Sequence, residues 1–122
     1  MLYWQTHTSH WNVTAPDFIS LHQMFEEQYT FLWNTLDELA ERYRALEHPA
    51  PIKAPSVDGK LSLLPRAKLL ASLLAQGEAT AEALKEAIEI FDDLDDTVSE
   101  DLAIGILATI DKNNWMLRSS LK

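Results

Sequence analysis

Between Asp17 and about Glu47, the apolar residues Phe18, Leu21, Phe25, Tyr29, Leu32, Leu36, Leu39 and Tyr43 recur at steps of three and four. That spacing draws a stripe along one side of a long α-helix. Pro16 and Asp17 mark its start and His48-Pro49-Ala50-Pro51 its stop. The stretch from Pro49 to Leu64, with Pro49, Pro51, Pro55 and Gly59, then reads as a crossover connection with room for a short helix.

A second long helix is predicted from about Pro65 to Asp92, with Leu70, Leu73, Leu74, Ala81, Leu84, Ile88 and Phe91 on its apolar side. Gly77 within it costs about 1 kcal/mol relative to alanine. After the acidic turn Asp92-Asp93-Leu94-Asp95-Asp96, the pattern Thr97-Val98-Ser99-Glu100 is that of a capping box. It opens a helix that runs to about Leu121 along Leu102, Ile106, Ile110 and Leu117. Residues 1 to about 13, with Leu2, Trp4 and Trp11, form the end of a further helix that stops before Pro16. Four helices, no strand and one long connection describe an all-α, ferritin-like four-helix bundle with one long crossover and a shortened first helix.

The 122 residues, 47% of them hydrophobic, suffice for one packed core, so residues 1–122 are read as a single domain. With no cysteine, a disulfide framework, a thiolate zinc site and a thiol nucleophile are excluded. Any metal must be held by histidines and carboxylates. Neither a membrane-spanning run nor a signal peptide is visible, and the expected location is the cytoplasm. A net charge of −9 repels phosphate backbones and makes direct DNA binding an unfavoured function.

The long helix carries a second pattern. With His22 at zero and about 100° per residue, Glu26 falls near 40°, Asp37 near 60° and Glu41 near 100°. His22/Glu26 and Asp37/Glu41 are thus two i, i+4 pairs on one edge, each able to clasp a cation. Glu26 and Asp37 lie ~16 Å apart along the axis, so one chain cannot close both pairs on one centre. Two copies of the helix packed antiparallel about a two-fold axis would bring the His22/Glu26 end of one to the Asp37/Glu41 end of the other. His10 adds a further nitrogen donor. Imidazoles and carboxylates without sulfur suit iron or manganese and also zinc. Ordinary solvated helix faces carry such pairs as well, and a lone histidine is more often surface or satisfied core.

Ser9-His10-Trp11-Asn12-Val13, Asp17-Phe18-Ile19, Leu21-His22 and Asp37-Glu38-Leu39-Ala40-Glu41-Arg42 together resemble the signature of the Dps proteins, the mini-ferritins. Ile110-Asp111-Lys112-Asn113-Asn114-Trp115-Met116-Leu117-Arg118-Ser119 resembles that family's last helix. The resemblance implies a ferroxidase that oxidises ferrous iron, preferentially with hydrogen peroxide, and stores the ferric product in a hollow shell. It implies that His10, His22 and Glu26 of one subunit and Asp37 and Glu41 of its two-fold mate hold iron, two ions per inter-subunit site, with zinc or manganese as substitutes. The partners implied are copies of the chain, a homo-oligomer that reaches a dodecamer built from two-fold dimers. Asp96 and Asp101 would line an iron-entry pore, with Asp92, Asp93 and Asp95 nearby, Glu27 would face the cavity, and Trp11 would flank the site.

Three features depart from that pattern. Glu26 stands where the family usually has aspartate, only nine residues precede His10, and the lysine-rich tail with which some members bind DNA is absent. The alternatives are a non-enzymatic shell that keeps the fold, and a DNA-protecting stress protein, which the charge opposes. A di-iron or di-manganese oxidase would place Glu-x-x-His on two helices of one chain, and no such motif occurs.

Overall fold

The computed structural model describes residues 1–122 as four α-helices and one short 3-10 helix: α1 (Leu2–Asn12), α2 (Phe18–Ala45), the 3-10 turn Gly59–Leu63, α3 (Arg66–Asp93) and α4 (Thr97–Ser120). No helix is long and apolar enough to cross a membrane. The chain divides into two compact units, Met1–Leu69 and Leu70–Lys122.

In the first unit α1 and the 3-10 turn pack together, and α1 packs on α2. The buried side of α1 is polar: Gln5, Thr6, Thr8, Ser9 and His10 face inward, while Trp4 and Trp11, read from the sequence as apolar markers, are exposed. Thr6, Thr8 and Ser9 each donate to the carbonyl four residues back, at 2.8, 2.9 and 2.6 Å. Their hydroxyls are therefore satisfied within the helix and their small side chains let α2 come close. From α2, Leu21, Phe25 and Leu32 are buried. Tyr3, near the start of α1, reaches Trp33 with ring centroids 5.5 Å apart. Farther along α2, Leu36, Leu39 and Tyr43 of the predicted stripe remain exposed.

Asp17 is the N-cap residue of α2 but makes no side-chain cap bond. Its carboxylate instead takes the Arg66 guanidinium, Nε to Oδ1 at 2.9 Å and Nη2 to Oδ2 at 2.6 Å. A two-pronged pair of this kind fixes direction as well as distance, and joins the entry of α2 to the entry of α3. The Arg66 guanidinium also holds the Asp17 carboxyl below the usual carboxylate range. At its far end α2 closes with Glu47 at φ 66°. The His48 N–H bonds to the Tyr43 carbonyl and the Glu47 N–H to the Arg44 carbonyl, the Schellman arrangement.

In the second unit Leu70, Leu73 and Ala81 of α3 and Ile106, Ile110 and Leu117 of α4 are buried, as their spacing predicts, whereas on the seam of α4 Ala103 is the buried residue and the predicted Leu102 is half-buried. Arg118 pairs with Glu78 at 2.9 Å. The turn between these helices repeats the Schellman closure, with Asp95 at φ 55° and the Asp96 N–H on the Phe91 carbonyl. The cap of α4 is Asp96, whose carboxylate accepts from the Ser99 N–H at 3.2 Å. The capping-box reading, which starts at Thr97, is thus corrected by one residue. A carboxylate at the preceding position reaches the free N–H groups of the first turn, and that leaves Thr97 inside the helix.

Candidate metal centre

His10 ends the buried face of α1 and His22 lies one turn into α2, and the short link through Val13–Asp17 brings them together. Their rings stack with centroids 3.7 Å apart and planes 22° from parallel. The bonds between them are reciprocal: His10 Nδ1 meets the His22 carbonyl at 2.9 Å, and His22 Nδ1 meets the His10 carbonyl at 2.8 Å. A carbonyl only accepts, so each Nδ1 carries a hydrogen, and Nε2 is the ring nitrogen left to coordinate. Metal-binding histidines commonly have this arrangement, one nitrogen anchored to a backbone acceptor and the other free to coordinate.

An aromatic layer surrounds the pair. Tyr29 stands edge-on to His10 at 5.2 Å and stacks on His7 at 3.9 Å. His7 shares a 3.0 Å hydrogen bond with the Tyr3 hydroxyl, and Trp11 lies 4.4 Å from its ring. Burial, and then the proximity of His10, hold His7 below the ordinary histidine pKa. Neither His7 nor Tyr29 is among the candidates drawn from the sequence. The i, i+3 spacing of His7 and His10 was the visible signal for the first, whereas Tyr29 read as one more member of the apolar stripe. Trp11 flanks this layer and is exposed.

Of the remaining candidates, Glu26 is exposed one turn beyond His22, and Asp37 and Glu41 are exposed farther along the same helix. Within one chain no three histidine or acidic side chains converge to enclose an ion. The structure thus unites His10 with His22 and leaves Asp37 and Glu41 apart from them. Asp96 serves as the α4 cap, and Asp101 is exposed on the first turns of that helix. Glu27 is exposed as well.

The ferritin-like domain family matches residues 1–122. DNA protection during starvation protein 2 of Bacillus anthracis is 31% identical over 99% of this chain and 87% of that protein. General stress protein 20U of Bacillus subtilis is 30% identical over 99% of this chain and 88% of its own length. Among solved structures, Dps from Staphylococcus aureus is similar with a TM-score of 0.87 and 32% identity, covering 99% of this chain and 85% of that one. A Dps protein from Bacillus brevis gives a TM-score of 0.90 and 30% identity with the same coverage. The four helices therefore have the ferritin-like fold, and this chain belongs to the Dps family of ferritin-like proteins.

Proposed function

We propose that the chain binds ferrous iron as a substrate at a site shared by two copies and oxidises it for storage, with hydrogen peroxide as the oxidant. The observation that carries this reading is the reciprocal His10/His22 pair, which frees both Nε2 atoms beside the carboxylate edge of α2. His10, His22 and Glu26 of one copy supply half of the donor set, and Asp37 and Glu41 of the second copy complete it. Two ferrous ions per site give up one electron each. Peroxide takes both electrons and two protons and leaves as two waters, so no one-electron oxygen species is released. Zinc and manganese fit the same donors and compete with iron.

The working form is a homo-oligomer of single-domain, cytoplasmic subunits, two-fold dimers assembled into a dodecameric shell. In it, Asp96 and Asp101 line an entry pore at which repeated acidic charge concentrates cations. Glu27 faces the interior. The net charge of −9 argues against direct DNA binding, so protection works by removing iron and peroxide together. The test is anaerobic ferrous titration followed by peroxide, with bound metal and particle mass measured on one sample. Saturation near two irons per subunit and loss of peroxide in step with iron oxidation are expected. Absence of ferrous binding by the assembled protein would leave only the reading as an inert shell.

A further inference from the structure

A shallow cleft of about 260 Å³ opens between α1 and α2, lined by Tyr3, His7, Tyr29, Thr30 and Trp33. Trp33, which forms one wall, is 60% exposed, about as much as Trp11 at 57% and Trp115 at 59%, so its exposure alone does not single it out. Its place on α2 is specific. On the wheel that sets His22 at zero, Trp33 falls near 20°, between His22 and Glu26 on the edge that carries the proposed ligands.

The shared site sets a register. If His22 of one copy lies opposite Glu41 of the other, and Glu26 opposite Asp37, the numbers of facing residues sum to 63, and the two-fold axis crosses α2 between Phe31 and Leu32. Trp33 then faces Thr30 of the second copy, and its Cα lies only ~2 Å from the axis measured along the helix. Antiparallel helices at the usual 8–10 Å separation then set Trp33 opposite Thr30, which lines the other copy's cleft.

We infer that the occupant of this cleft is Trp33 of a second copy of this chain, so that two indoles exchanged across the two-fold axis lock the dimer that completes the metal site. The inference rests on the shared-site reading, which supplies the register. The occupant is chosen by the position of Trp33, an exposed residue, on the same helix edge as the proposed ligands, and by the position of Thr30, itself exposed and part of the cleft lining, at the sum-63 partner of Trp33. Exchanged tryptophans at the centre of a contact act as its energetic anchors. They would also form the wall between the two metal sites and keep bulk water from both.

The absence of cysteine allows a single thiol to report on the contact. Thr30→Cys in the assembled protein is expected to react with a maleimide at least about tenfold more slowly than after dilution to single chains. Trp33→Asp is expected to yield helical chains that no longer reach the parent particle mass, while Trp33→Phe assembles. An introduced thiol that stays fully reactive in the assembled particle would overturn the inference, as would a Trp33→Asp protein of unchanged mass. Should Trp33→Asp fail to fold, the maleimide rates of Thr30→Cys decide. Ferrous binding by Asp37→Ala/Glu41→Ala chains separates the two ideas. If that binding is lost while the introduced thiol remains fully reactive, the shared site stands and the indole lock falls; if binding persists, the register itself fails.

Discussion

Gly77 of α3 lies so close to the side-chain amide of Asn114 on α4 that a β-carbon at position 77 would overlap it. Asn114 is buried, so its amide has little room to retreat. Helix propensity alone favours alanine over this glycine by about 1 kcal/mol. Overpacking a buried contact costs about 1–3 kcal/mol, which outweighs that propensity gain. Gly77→Ala is expected to destabilise the chain, whereas the same change in an Asn114→Ala background should be neutral or stabilising. Denaturant melts of the four proteins in that cycle check it, and additive effects would refute it.

Glu47 closes α2 in the left-handed region without being glycine. A residue with a β-carbon pays about 1 kcal/mol or more for that conformation, which glycine adopts freely. Its side chain is exposed, so little packing is lost by trimming it. Glu47→Gly should raise the thermal midpoint, with a gain of about 0.5–1 kcal/mol, and Glu47→Val should lower it.

The Asp17–Arg66 pair gives stability a pH dependence of known sign. Hydrogen bonding to Arg66 lowers the folded pKa of Asp17. The unfolded chain therefore takes up the proton first as pH falls. The stabilisation is complete above the ordinary carboxylate pKa and disappears as pH drops through the lower, folded value. Asp17→Asn should flatten the melting temperature against pH in that acidic window and change its slope little near neutrality. An unchanged acid limb in the variant would show that other carboxylates control it.

A site built from two copies can be rebuilt from two defective ones. His22→Ala and Asp37→Ala/Glu41→Ala are each expected to lose rapid iron oxidation. In a mixed dimer one of the two sites receives both intact halves and the other neither. Random reassembly of equal amounts makes half of the dimers mixed, so about one quarter of the parental oxidation should return. Circular dichroism of the single variants should remain helical, because these side chains lie beside the apolar stripe. No recovery on mixing would place the ligands within one chain.

The backbone plan could be read from spacing alone, because helix periodicity and chain breakers are local properties. The bounds of α2, α3 and α4 fall within a residue or two of those predicted from Asp17, Pro65, Thr97 and the residues that stop each run. His10 and His22 were visible as candidate donors for the same reason. What they do to one another was not: twelve residues separate them, and their reciprocal Nδ1–carbonyl bonds exist only once α1 lies against α2. The polar underside of α1 and the diversion of Asp17 from capping to Arg66 depend in the same way on neighbours distant in sequence. Gly77 shows the difference at a single residue. Judged by propensity it is a defect in α3, yet the approach of Asn114 makes it the residue that fits, because close packing is set by whichever atoms the fold brings to that point.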